Sequence, residues 1–225
     1  MNKADRDGIT PFNYAARKGH LEVCKYFVSL GVAGQGALAD ERSLCEAIRR
    51  GNTDMFKYLV SLGADVNMTL HDDYQKGSTL LFVASREGRI DMCKYLVAAG
   101  AHVNKASRDG STPLYIAAER GHLEVCQYLG SLGADVSLHN SCDAIPLYAA
   151  ADNGRLEVCQ YLVSMGADAN LVLHDGRTLL YIATEGRYLE LCKYLISLGA
   201  DTNRATKRGW TPFHVAAQNC SVSRS

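Results

Sequence analysis

The chain repeats one short pattern at an almost constant spacing. The segment GHLEVCKYF at residues 19–27 returns as GHLEVCQYL at 121–129 and as GRLEVCQYL at 154–162. The position of its cysteine recurs at intervals of 32, 37, 33, 33 and 33 residues, at Cys24, Phe56, Cys93, Cys126, Cys159 and Cys192. A period of this length indicates similar units that stack on one another.

Each unit predicts two short helices. In DGSTPLYIAAERGHLEVCQYLGSLGADV, residues 109–136, Thr112 is a favoured N-cap and Pro113 already has a helical φ. Gly121 can adopt the left-handed conformation that ends a helix, and apolar residues at helical spacing then predict a second helix before Gly133. Because helices of two to three turns are marginal alone, we expect neighbouring units to cover their apolar faces.

Three segments carry a resemblance to a known family. They are DGITPFNYAARKGH at 7–20, DGSTPLYIAAERGH at 109–122 and RGWTPFHVAAQN at 208–219, with LGADVN-type ends as at 62–67. They resemble the ankyrin repeat. The resemblance implies one all-α solenoid domain over 1–225, built of helix-turn-helix units with β-hairpin fingers. The approximate repeats are 5–36, 37–73, 74–106, 107–139, 140–172, 173–205 and a partial repeat at 206–225.

Four units depart from the pattern. The second lacks both the DG turn and the TP pair, so we do not expect an ordinary finger there. The third has four extra residues, which we place within 68–79 and expect to lengthen its finger. In the sixth, Arg187 occupies the position of the capping glycine, which predicts a strained or differently closed helix end. In the last, Cys220 replaces that glycine. Two interpretations are open: the array ends in an improvised cap, or the chain is a fragment of a longer array.

The eight cysteines are predicted to be free thiols. They are spread through the chain without CxxC pairs, which favours a reducing compartment. One cysteine per stacked unit puts neighbours about 10 Å apart, too far to share a zinc ion or to form a disulfide. We therefore predict that the recurring cysteines are small core side chains and that the chain binds no metal and no cofactor. Cys45, Cys142 and Cys220 lie outside this spacing and are expected to be more exposed.

The remaining sequence gives no sign of catalysis. No nucleophile has a base and an orienting group implied beside it, and no phosphate-binding loop is present, so we predict that the chain is not an enzyme. Its 24 basic and 24 acidic residues give no general reason to bind nucleic acid. No apolar run approaches a membrane span. We expect a monomer in the cytoplasm, with the nucleus as an alternative, that contacts neither nucleic acid nor membrane.

The resemblance implies a partner surface on the concave face and at the finger tips. The partner would be another protein or a peptide. At the finger tips, the candidates are Arg6, Ile9, Lys76, Arg108, Arg177 and Trp210. At the ends of the first helices, they are Arg17, Lys18, Arg49, Arg50, Arg86, Glu119, Arg120, Asp152 and Glu185. Trp210 has two open interpretations, an interface anchor and a cover for the C-terminal end.

The charges at the helix ends differ along the chain. The two residues before the capping position include five cations and one anion in units one to three, and one cation and three anions in units four to six. We predict a groove whose N-terminal half attracts an acidic peptide or protein surface, because arginine pairs well with carboxylates. Ordinary solvated charges are the alternative. The predicted function is a non-catalytic interaction module or scaffold; the alternative is the recognition arm of a larger enzyme, channel or ubiquitin-ligase adaptor.

Two further sets of residues follow from the resemblance. An aromatic row on the first helices is expected to pack rather than to stack on a ligand, and includes Phe82, Tyr115, Tyr148 and Tyr181, with His214 at the equivalent site. Turn asparagines are either purely structural or sites of β-hydroxylation, and they are Asn67, Asn104, Asn170 and Asn203.

Overall fold

The computed structural model describes residues 4–6, 9–31, 40–71 and 77–222. Residues 220–222 are described by their backbone only. Thirteen α-helices lie in these residues. The first helices of the repeats are α1 (Pro11–Lys18), α3 (Glu41–Arg50), α5 (Leu80–Arg86), α7 (Pro113–Arg120), α9 (Pro146–Asp152), α11 (Leu179–Glu185) and α13 (Pro212–Val222). The second helices are α2 (Leu21–Ser29), α4 (Thr53–Ser61), α6 (Ile90–Ala98), α8 (Leu123–Ser131), α10 (Leu156–Ser164) and α12 (Leu189–Ser197).

The helices form two compact units, residues 1–108 and 109–225. In the first unit, α1, α3 and α5 pack in succession, and so do α2, α4 and α6. In the second unit, α7, α9, α11 and α13 pack in succession, and α8 packs on α10. Each first helix also contacts the second helix of its own repeat, from α1 with α2 to α11 with α12. The predicted all-α repeat fold is confirmed.

Threonine caps begin most of the first helices, as the TP pattern predicts. The Thr112 hydroxyl accepts the N–H of Tyr115 at 3.1 Å, and equivalent bonds are made by Thr10, Thr79 and Thr178. The second repeat has another solution. Its first helix begins at Glu41, where the Asp40 carboxylate caps it by accepting the N–H of Ser43 at 2.9 Å. A different cap residue therefore replaces the missing TP pair.

Several fingers are tight hairpins that are closed by the same backbone hydrogen bond. The N–H of Leu173 donates to Arg177 O at 2.9 Å, and that of Thr206 donates to Trp210 O at 2.8 Å, so each bond joins residues four positions apart. In the third repeat, Leu70 donates to Ser78, eight positions on, at 2.9 Å. The four extra residues therefore lie within this finger, as predicted. Residues 72–76 are outside the described residues.

The ends of the first helices are held by the following repeat. Gly51 and Gly121 close α3 and α7 with φ of 69° and 81°. Beside Gly51, Arg89 of the next repeat donates to Ile48 O at 3.2 Å and to Arg49 O at 2.7 Å. Beside Gly121, Arg155 donates to Glu119 O at 3.4 Å. These guanidiniums satisfy helix-end carbonyls and fix the backbone of the predicted partner-binding residues.

The sixth repeat closes its first helix without a glycine at the usual place. Arg187 has φ +62°, whereas Gly186 before it has φ −73°. The predicted strain at this helix end is confirmed, since a Cβ disfavours the left-handed region. The Arg187 side chain donates to Asn219 O at 3.3 Å. In the last repeat, α13 continues through position 220 instead of ending there.

Arg187→Gly should stabilise the protein. A glycine removes the Cβ from a left-handed residue, which costs about 1 kcal/mol or more. Arg187→Ala is the matched control, because it removes the same hydrogen bond but keeps the Cβ. In urea unfolding, we expect Arg187→Gly to exceed Arg187→Ala by about 1 kcal/mol in free energy of unfolding. Equal values for the two variants would contradict the strain.

Candidate functional site

The recurring cysteines are part of the core. Cys24, Cys93, Cys126 and Cys159 are buried, and Cys192 is partly buried. Cys142 is exposed, as predicted, and the side chain of Cys220 is outside the described residues. For Cys45, the prediction of exposure was wrong. It is buried because α3 places it on the same face as Leu44 and Ile48, which are also buried.

Burial also makes these thiols unreactive. It raises the pKa of Cys24 to about 11 and the pKa values of Cys93, Cys126 and Cys159 to about 12. Because the thiolate is the nucleophile and the metal ligand, a thiol that is protonated at neutral pH does neither. Within the described ranges, no group of three or more His, Cys, Asp or Glu residues is arranged to hold a metal ion. These observations favour a packing role.

In the first unit, the predicted cationic residues meet carboxylates. The Arg17 guanidinium pairs with Asp40, the cap residue of α3. The Arg50 Nε lies 2.5 Å from Glu46 Oε1, and the Arg49 guanidinium lies 4.0 Å from the same carboxylate. Part of the positive charge expected from the sequence is therefore neutralised within the unit. The Glu46 pairs follow from helical i,i+3 and i,i+4 spacing, a signal that the sequence contained.

The other candidates of the first unit differ in exposure, and Arg86 is half-buried. Arg86 pairs with its neighbour Glu87 at 2.7 Å. Lys18 is exposed, and its Nζ lies 5.6 Å from the centroid of the Tyr14 ring. Of the finger-tip candidates, Arg6 and Arg108 are exposed and Ile9 is half-buried. Lys76 lies outside the described residues.

One turn asparagine has a clear structural task. The Asn67 side-chain amide donates to Gly100 O at 2.9 Å, and its Oδ1 accepts the N–H of His102 at 3.0 Å. Both ends of the amide therefore join one repeat to the next. These two hydrogen bonds to backbone groups give a structural reason for an asparagine at this turn position.

In the second unit, Arg177 is the most heavily bonded candidate. Its Nε lies 2.6 Å from Asp175 Oδ2, and its NH1 lies 3.5 Å from Glu185 Oε2. Glu119 pairs with the adjacent Arg120 at 3.6 Å. Asp152 is exposed, and its carboxylate makes no ion pair with any residue that the structure describes. The anionic set predicted for this half is therefore only partly neutralised.

The aromatic row lies beside these charges. Tyr115, Tyr148 and Tyr181 are half-buried on α7, α9 and α11. Burial raises the pKa of the Tyr115 hydroxyl to about 12, with nearby Glu119 adding to the effect. Burial likewise raises the pKa values of Tyr148 and Tyr181, to which Asp152 and Glu185 contribute. These tyrosines are packed and also lie close to carboxylates. The sequence analysis predicted the packing but not the neighbouring charges.

A cleft opens between the last two fingers. It has a volume of about 470 Å³ and is lined by Asp175, Arg177, Tyr181, Thr206, Lys207 and Arg208. Trp210 follows the lining residue Arg208 by two positions and is 40% exposed. Its ring centroid lies 5.9 Å from that of His214. The interface anchor and the cover for the C-terminal end both stay predictions for Trp210.

Paired helices, tight fingers and left-handed caps at a fixed period define a helical repeat protein. The family model for ankyrin repeats (3 copies) matches the chain over residues 1–70, 44–140 and 144–223, so the chain belongs to the ankyrin repeat family. Repeats of this family are generally protein–protein interaction modules and typically non-catalytic. No curated protein sequence matches the chain. Among the described helices, none is both long and apolar enough to cross a membrane.

Thiol labelling can test the cysteine assignment. In a Cys220→Ser variant, we expect one rapidly reacting thiol at neutral pH, that of Cys142, because the pKa values of Cys24, Cys93, Cys126 and Cys159 are raised by burial. The buried thiols should react only after unfolding in denaturant, and the partly buried Cys192 should react more slowly than Cys142. Removing Cys142 as well is the control, and it should abolish the fast phase. Any fast-reacting thiol in that control would contradict the buried assignment.

Proposed function

We propose that this chain is a non-catalytic protein-binding module or scaffold, and that the first-helix ends and fingers of its first unit bind an acidic peptide or protein surface. The observation that carries the proposal is a local excess of cations. The helix-end positions of this unit hold one anion, Glu87, and five cations: Arg17, Lys18, Arg49, Arg50 and Arg86.

Glu46 shows how the excess arises. One carboxylate contacts both cations of this pair, Arg50 through Nε at 2.5 Å and Arg49 through its guanidinium at 4.0 Å. The side chain of Arg50 is 50% exposed, and its terminal N–H groups keep their fork geometry while Nε is held. A guanidinium fixed at one end loses less side-chain freedom when its other donors bind a carboxylate.

The fold supports the same proposal. The carbonyls of Ile48 and Arg49 are bonded by Arg89, so the end of α3 that presents these arginines is rigid before binding. A preorganised surface reduces the ordering cost of association. The cytoplasmic location and the monomeric state stay predictions.

Reversing the charges of Arg49 and Arg50 to glutamate should weaken binding of an acidic probe. The probe is a fluorescent peptide of alternating glutamate and glycine, followed by anisotropy at low and high salt. We expect about tenfold weaker binding at low salt and a flatter salt dependence, because exposed charge pairs each contribute modestly and are screened. Thermal melting checks that the variant folds.

A matched double reversal controls for net charge. Lys57→Glu with Lys94→Glu changes the same number of charges on the exposed sides of α4 and α6, away from the first-helix ends. This variant should bind the probe within about twofold of the parent. If both double variants lose affinity equally, net charge explains the binding and the proposed surface is wrong.

A further inference from the structure

The first helices of the second unit repeat a pair of side chains. Tyr115 and Glu119 stand on α7, Tyr148 and Asp152 on α9, and Tyr181 and Glu185 on α11. Residues four apart lie on one face of a helix, so each helix presents a half-buried phenol ring beside a carboxylate. Such a pair suits a guanidinium, because the phenol oxygen and the carboxylate can both accept hydrogen bonds from its N–H groups.

One of these places already holds a guanidinium from the protein itself. Arg177, on the sixth finger, pairs with Glu185 at 3.5 Å and with Asp175 of its own finger at 2.6 Å. The same guanidinium faces Tyr148: burial and Asp152 raise the pKa of that hydroxyl, whereas the charge of Arg177 and its hydrogen bond lower it. A guanidinium therefore lies between the tyrosine of one repeat and the carboxylate of the next.

At the equivalent finger position one repeat earlier, the sequence has no arginine. The 33-residue period maps Tyr148 to Tyr115, Glu185 to Asp152 and Arg177 to Ala144. The side chain of Ala144 ends at Cβ and cannot reach either group. Asp152 is exposed and makes no ion pair in the described part of the unit. The Tyr115 hydroxyl has Asn140 of the fifth finger as a hydrogen-bond neighbour instead.

We propose that Tyr115 and Asp152 bind an arginine side chain of a partner protein. The proposal rests on the proposed function, in that it takes the chain as a protein-binding module, and it adds a basic segment as the ligand of the second unit. Arginine fits better than lysine because its planar fork can pair with a carboxylate while another of its N–H groups donates to the tyrosine hydroxyl. Several other charged groups lie near this place: Glu119 with its partner Arg120, Arg155, which donates to Glu119 O, Asp109 near Tyr115, and Asp175 and Arg177 near Tyr148.

The test uses the full chain and a short acetylated peptide that carries one arginine between glycines. Binding is followed by shifts of the backbone amide signals of Tyr115, Ala144 and Asp152 in an NMR titration. Asp152→Asn should weaken binding about tenfold, the size typical of losing a charge-assisted hydrogen bond. Glu157→Gln, which neutralises an exposed carboxylate on α10, is the matched control and should bind as the parent does.

The Ala144→Arg variant tests the analogy with Arg177 directly. By analogy with Arg177, the new guanidinium should occupy the place between Tyr115 and Asp152 and abolish peptide binding, while thermal melting shows an intact fold. If this variant does not fold, Asp152→Asn decides the question alone. A citrulline peptide should not bind, and a lysine peptide should bind several-fold more weakly. The proposal is overturned if the arginine peptide leaves the three amides unshifted, if Asp152→Asn binds like the parent, or if lysine binds as well as arginine.

The two proposals can fail separately. The Arg49 and Arg50 reversals lie in the first unit and should leave arginine-peptide binding unchanged. Loss of the Asp152 effect, with the acidic probe still dependent on Arg49 and Arg50, would remove only the arginine site. The opposite result would remove only the acidic-partner surface.

Discussion

Burial of short helix faces by the adjacent repeat is the interaction on which the whole structure depends. The helices have seven to eleven residues, too short to be stable alone. Val158 on α10 is 2% exposed, whereas Val23, at the same position of the first repeat, is 43% exposed. The same side chain in the same local sequence thus gains burial only from a neighbour. Stability in such an array is approximately a sum of repeat and interface contributions.

Much of this fold could be predicted because each signal is local and recurs. Threonine caps, capping glycines and apolar spacing act within one repeat, so Thr112 and Gly121 sufficed to place α7. The second repeat shows the limit. There the start of α3 depends on Asp40, and the burial of Cys45 follows from the face that this start selects. Neither fact follows from the repeat pattern, because that repeat lacks its usual cap residues.

The candidate site was less predictable than the fold. Sequence position placed Arg17, Arg50 and Arg177 at helix ends and finger tips, but it did not give their partners. Asp40 meets Arg17 only because α1 packs against α3, and Glu185 meets Arg177 only because the finger folds back onto α11. The sign of a charge is written in the sequence. Whether an ion pair neutralises that charge depends on contacts between segments that are distant in sequence.

The guanidiniums of Arg89 and Arg155 give the array a directional dependence. Each belongs to one repeat but bonds the last carbonyls of the first helix before it. Local opening of a repeat would therefore release the helix end of the preceding repeat, which carries its predicted partner-binding side chains. Conversely, a ligand that needs an ordered helix end would favour the closed form of the following repeat. Occupancy of one repeat would thus be thermodynamically linked to the folding of the next.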